Sequence, residues 1–135
     1  MKLIGLAILR VGAGLLFMEH GAQKLFGVLG GFGGAGHAAP LVSQMGLAGV
    51  LELGGGALVA VGLLTRPVAA ILVVEMIVAF AQAHLPRGGA PVQNGGELAL
   101  LYALIFAALA SLGPGPFSVD GGRRDENVQS VVGSR

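Results

Sequence analysis

The chain has 135 residues and a net charge of +1; 54% of it is hydrophobic and only 11% charged, against about 25% charged in an ordinary soluble domain. A soluble domain of this size has a large surface to keep polar, and a chain with a mean hydropathy of +0.82 lacks the residues to do so. The charge balance gives no electrostatic basis for nucleic-acid binding, and the absence of cysteine excludes disulfides, thiolate metal sites, iron–sulfur ligation and an internal thiol relay.

A bilayer core about 30 Å thick takes roughly 20 helical residues, and the long apolar runs lack the alternation of strands. The fold expected is therefore all-α, an integral membrane four-helix bundle over residues 1–122, followed by a polar, disordered cytoplasmic tail over 123–135. Met1–Lys2 and the apolar run Leu3–Met18 begin like a signal peptide. No small-residue cleavage site follows, and Glu19, His20 and Lys24 come next, so an uncleaved first helix is predicted over roughly 3–26.

The connection GVLGGFGGAGHAAPLVSQM (27–45) is too polar and glycine-rich to span, although its second half, Ala38–Met45, is expected to form a short interfacial helix. A second helix is predicted over roughly 46–64 and a third over 67–85, joined by a tight turn at Thr65–Arg66–Pro67 with proline at the first helical position. The proline- and glycine-broken loop HLPRGGAPVQN (84–94) leads to a fourth helix over roughly 95–112, which GPGPFSVDGG (113–122) stops. Gly12 and Gly14 in the first helix, and Gly49, Gly54, Gly55, Gly56 and Gly62 in the second, suit close backbone packing in lipid.

Four spans put both termini on one side. That side carries Lys2, Arg66, Arg123, Arg124 and Arg135, and the other carries Lys24 and Arg87. The excess of positive residues places both termini in the cytoplasm.

An ionisable side chain at mid-membrane costs about 2.5–3.5 kcal/mol on insertion scales, so it must pair, reach the interface or line a polar cavity. Arg10, Glu19, His20, Lys24, Glu52, Glu75, Gln82 and Glu97 all fall in or near the spans. Depth along the helices predicts a structural ion pair between Arg10 and Glu75. It gathers His20, Lys24, Glu52, Gln82 and Glu97 into an outward-opening pocket. Helical phase agrees for most of them. Arg10, Gly14, Phe17, Gly21 and Lys24 share a stripe with His20 beside it. Glu52, Gly56 and Val59 form a second stripe, and Glu75, Ala79 and Gln82 a third. Glu19 points away from Arg10 and requires another partner. His84 is out of phase with Gln82 and is assigned to the loop. No metal is expected, because His20 and His84 differ in phase and depth and no HxxxH or ExxH pattern occurs. The plainer reading of the same residues is a set of buried pairs that lock the bundle; intramembrane ionisable groups favour a site.

The order of these motifs resembles the DoxX family of small four-helix bacterial membrane proteins, over the stretch from Leu9 to Asp120. The first helix carries L-R-V-G-A-G-L-L-F-M-E-H-G-A-Q-K-L-F, with family-like Arg10, Gly14, His20, Gly21 and Lys24. The second carries E-L-G-G-G-A-L-V-A-V-G-L-L-T-R from Glu52 to Arg66, and the third E-M-I-V-A-F. The fourth carries N-G-G-E-L-A-L-L-Y with Glu97, followed by G-P-G-P-F-S-V-D.

The resemblance implies membership of a redox system. Some relatives are subunits of membrane oxidoreductases that pass electrons from sulfur compounds such as thiosulfate to quinone, and others act with thiol and oxidative-stress systems through partner proteins. It thus implies a membrane oxidoreductase subunit that takes a quinone or a small substrate and works with a redox partner protein. His20 and Lys24 would contact a quinone carbonyl or an anionic substrate; Glu52 and Glu97 would relay or balance protons. With no cysteine here, sulfur chemistry belongs to the substrate or the partner. Two other classes compete: a membrane scaffold or assembly factor using the bundle surface and Glu19, and a small-solute permease, for which four helices would require a homo-oligomer.

Overall fold

The computed structural model describes residues 2–34 and 36–122; the predicted tail over 123–135 lies outside the described residues. The described chain is helical, with one isolated bridge between Phe32 and His37.

Helix α1 spans Lys2–Phe26 and carries Lys24 in its last turn, where a cation complements the helix dipole. Gly27, at φ 68°, ends it in the left-handed conformation that glycine adopts without a Cβ clash. The glycine-rich loop then folds back on the end of α1. The Ala39 amide donates to the Lys24 carbonyl at 2.7 Å and the Phe32 amide to the His37 carbonyl at 2.8 Å. The short helix expected over Ala38–Met45 does not form across that stretch. Pro40 brings no amide donor, and the Ser43 hydroxyl instead accepts from the Gly46 amide at 3.1 Å as the N-cap of α2.

The second rod runs over Gln44–Val61. It comprises α2 (Gln44–Val50), a π-helical turn (Leu51–Gly55) and α3 (Gly56–Val61). The turn after it lies at Gly62–Leu64, upstream of the predicted Thr65–Arg66–Pro67, because Gly62 takes the left-handed conformation at φ 74° and closes α3. Thr65 is already helical. The third rod, Thr65–Arg87, joins α4 (Thr65–Ala79), a second π turn (Phe80–His84) and a 3-10 turn (Leu85–Arg87). After the short α5 (Pro91–Asn94) comes α6 (Glu97–Leu112).

Three of these rods are long and apolar enough to cross a membrane. Helix α6, with 16 residues, is apolar but shorter; it reaches about 24 Å. Helix α1 packs on the second rod and α4 on α6. Phe17, Val59, Leu72, Phe106 and Leu109 meet in the core between them. Large apolar side chains also cover much of the outer surface: Ile8 is 68% exposed, Leu104 69% and Val74 61%. Such faces suit lipid, and the chain is an integral membrane helical bundle. Where α1 meets the second rod the backbones nearly touch. A Cβ on Gly14 would lie 2.6 Å from the Gly56 carbonyl oxygen, and one on Gly56 would lie 2.8 Å from that of Gly14.

The predicted Arg10–Glu75 ion pair is not formed. The Arg10 guanidinium turns towards the near end of the second rod. It donates to the carbonyls of Val59 at 2.8 Å, of Ala60, and of Phe117 at 2.5 Å. The last carbonyls of a helix have no partner within it, so they accept from the nearest buried donor. Glu75 lies nearly three turns up the third rod from Thr65, about 15 Å away. The G-P-G-P-F-S-V-D segment completes this end. The Asp120 amide donates to the Gly62 carbonyl at 3.0 Å, and its carboxylate accepts from the Thr65 amide at 3.4 Å at the start of α4.

Candidate functional site

The other end of the bundle holds most of the remaining polar side chains. Lys24 projects from the last turn of α1 to Glu52 on the second rod, with Nζ 2.7 and 2.5 Å from the two carboxylate oxygens. Glu52 is 5% exposed and Lys24 18%. The glycines make this contact reachable. A Cβ on Gly21 would collide with the Leu53 amide nitrogen and lie 2.8 Å from the Gly49 carbonyl oxygen, so the two backbones run side by side at this level.

The Lys24–Glu52 pair stands between two cavities. One, of about 530 Å³, is a groove between the second and third rods, lined by Lys24, Gln44, Glu52, Glu75, Gln82 and His84 together with apolar residues. Its apolar walls include Leu47, Ile71 and Val74, which are 59%, 53% and 61% exposed, so it opens along the flank of the bundle rather than only at its end. The other, of about 200 Å³, is lined by Phe17, His20, Tyr102 and Leu98, and shares Lys24, Glu52 and His84 with the first. The His20 ring lies edge-on to Tyr102 at 5.9 Å and to Phe17 at 6.5 Å.

Glu75 is among the residues that line the larger groove. Both of its carboxyl oxygens are buried, and neither has a hydrogen-bond partner among the described residues. Gln82 is exposed on the same groove, where its side-chain oxygen accepts from the Gln44 amide across the gap between the rods.

The expected set is thus divided. Lys24 and Glu52 line both cavities, Gln82 the groove and His20 the smaller chamber. Glu97 lines neither and is exposed at the start of α6. The inward face of α6 is taken by Ala99, Tyr102, Ala103 and Phe106, and Glu97 sits two positions, or about 200°, from Ala99. Glu19 is exposed on the outside of α1.

Sequence reasoning misses Gln44, Tyr102 and His84, and assigns Glu75 to an ion pair rather than to the groove. Tyr102 reads in sequence as one more apolar position of α6. His84, assigned to the loop, is the last residue of the π turn in the third rod; its Nδ1 lies 3.2 Å from the Asn94 carbonyl oxygen. A π turn accommodates an extra residue and rotates the residues beyond it about the helix axis, so a count at 100° per residue misplaces His84. Glu52 occupies the corresponding turn of the second rod.

The DoxX family profile matches residues 5–85. The chain belongs to the DoxX family. A protein from Haemophilus influenzae described as uncharacterized is 39% identical over 122 residues, covering 85% of this chain and 87% of its own length. No solved structure matches the chain. The matched DoxX segment contains Lys24, Glu52, Glu75, Gln82 and His84, so the groove is built within it, whereas Tyr102 and α6 lie beyond it. Chemically, this DoxX site offers a neutralised ion pair, an unpaired carboxyl and two imidazoles beside an apolar groove. It is suited to a small, largely apolar molecule with one or two polar atoms.

Proposed function

We propose that this chain is the quinone- or small-substrate-binding membrane subunit of a redox system, in a bacterial inner membrane with both termini cytoplasmic and all four rods in the bilayer. The observation that supports this reading is the 530 Å³ groove, apolar along its walls and open on the lipid-facing flank, with Glu75 in its wall, whose buried carboxyl has no partner among the described residues. A lipophilic ring could enter sideways from the membrane, and its oxygen atoms would find polar groups only at Glu75, the Lys24–Glu52 pair, Gln44, Gln82 and His84. A bound quinone supplies two-electron, two-proton chemistry. The chain's own residues do the rest. Lys24 holds Glu52 in place, Glu75 and Glu52 are positioned to exchange protons with the ligand's oxygens, and His20 and His84 border the chamber behind. With no cysteine in the chain, electrons from a sulfur compound would arrive through a partner protein. The positive-inside rule supports the orientation: Arg66 lies at the end of the bundle where α1 begins, and Lys24 and Arg87 lie at the other end.

The test is purification in mild detergent with mass spectrometry of co-purifying lipids, followed by titration with a short-chain quinone analogue in nanodiscs. Binding that weakens several-fold in Gln82→Ala and His84→Ala supports the reading. Transport of solute by the protein alone in liposomes would replace it with a permease, and quinone binding indifferent to both substitutions would remove the groove as the site.

A further inference from the structure

The polar groups of the larger groove are unequally satisfied. Both Glu52 oxygens accept from Lys24, and Gln44 donates to Gln82. Glu75 also lines the groove, and its two oxygens are buried behind that wall with no partner among the described residues, so a small side-chain rotation would bring them to a ligand. An unmet polar group in an apolar setting costs free energy that a ligand can recover. Which ligand recovers most depends on hydrogen-bond inventory. A carboxyl group, when neutral, offers one donor and one acceptor; when ionised it offers acceptors only. A carbonyl-only head satisfies at most the donor, and nothing when the group is ionised. A hydroxyl both donates and accepts, so it serves Glu75 in either state. An ammonium head would require the ionised form and a second desolvated charge, with the penalty of a buried ion pair. The space beside Glu75 suits a flat ring. The groove wall is small at Ala48, Ala79 and Ala83, and Ala79 lies one turn along from Glu75.

We infer that the groove preferentially takes the reduced, hydroxyl-bearing form of a quinone, held through a phenolic hydroxyl by Glu75. This rests on the quinone reading above and adds to it which redox form the groove selects. Glu75 is then the residue that sets this selectivity.

The experiment uses the full chain in nanodiscs, titrated with a decyl-chain ubiquinone analogue in oxidised form and, anaerobically, in reduced form. The reduced form should bind at least tenfold more tightly. Infrared difference spectra should show the Glu75 carboxyl band move on its addition and stay unmoved with the oxidised form. Glu75→Leu removes a partnerless polar group from apolar surroundings, so it should fold; it should bind both forms alike. Glu75→Gln keeps a donor and an acceptor and should retain the preference. Equal affinity for the two forms in the wild type, or a preference that survives Glu75→Leu, would overturn this inference while leaving quinone binding in place. Failure of both forms to bind would remove the quinone reading itself. A decyl-chain aliphatic alcohol that displaced the reduced analogue at equal concentration would overturn the phenolic assignment.

Discussion

Lys24 and Glu52 form a two-pronged ion pair, at 2.7 and 2.5 Å, between the end of α1 and a π turn of the second rod. The pair is both a tie between helices and the partition between two cavities. Breaking it from one side leaves a nearly buried charge uncompensated. Lys24→Met should therefore destabilise the protein by about 3–5 kcal/mol. Lys24→Met combined with Glu52→Leu should recover most of the loss, because neither charge then remains. Unfolding by denaturing detergent, monitored by circular dichroism, measures both. A double variant as unstable as the single one would show that the pair is not the interaction that matters at this site.

Arg10 makes a different kind of tie. Its guanidinium joins the carbonyls of Val59, Ala60 and Phe117, binding the end of the second rod to the segment after α6. Arg10→Lys should lose much of the stability that Arg10→Met loses, since an ammonium cannot reproduce a planar fork reaching several acceptors. Arg10 and Glu75 have no contact, so a double-mutant cycle of Arg10→Met with Glu75→Leu should give a coupling energy within about 0.5 kcal/mol of zero. A coupling of several kcal/mol would restore the ion pair that depth alone suggested.

That contrast shows what the sequence carries and what it does not. Apolar length and the polar exceptions within it are local properties. The helical rods and the inward faces of Arg10, Gly14, Phe17 and Gly21, or of Glu52, Gly56 and Val59, are legible from them, and all these residues are buried. Partner choice is not local. Charge and estimated depth match Arg10 with Glu75. The helix-end carbonyls that Arg10 reaches appear only once the second rod is seen to stop at Val61. The π turns at Leu51–Gly55 and Phe80–His84 are a second limit, because they break the 3.6-residue period that assigns His84 to the loop. Glu97 fails for a third reason. Its depth suits the site, but α6 turns its apolar face inward and leaves that carboxylate outside.

The orientation of the bundle can be read without any functional assay. The chain has no cysteine, so single cysteines at Ser43 and Ser130 can be labelled against a thiol-free background. With the termini cytoplasmic, a membrane-impermeant maleimide added to spheroplasts should label the Ser43 site and not the Ser130 site. Labelling of the Ser130 site alone would invert the topology and put the groove's polar end on the cytoplasmic side.

The glycines allow packing to be separated from chemistry at the Lys24–Glu52 level. A Cβ on Gly21 would run into backbone atoms of Leu53 and Gly49, which cannot swing aside as the end of a flexible side chain would. Gly21→Ala should push α1 away from the second rod one turn before Lys24, costing about 1–3 kcal/mol as overpacked sites do. It should also lengthen the ion pair, so ligand binding in the groove should weaken although no polar group has been touched. Gly12 is the matched control. It lies in the same helix, but a Cβ there meets no heavy atom within 4 Å. Gly12→Ala should leave binding unchanged and raise stability by about 0.5–1 kcal/mol through helix propensity alone. Melting temperatures and analogue titrations on the two variants decide the matter. Equal behaviour of Gly21→Ala and Gly12→Ala would mean that close approach of the rods does not hold Lys24 against Glu52.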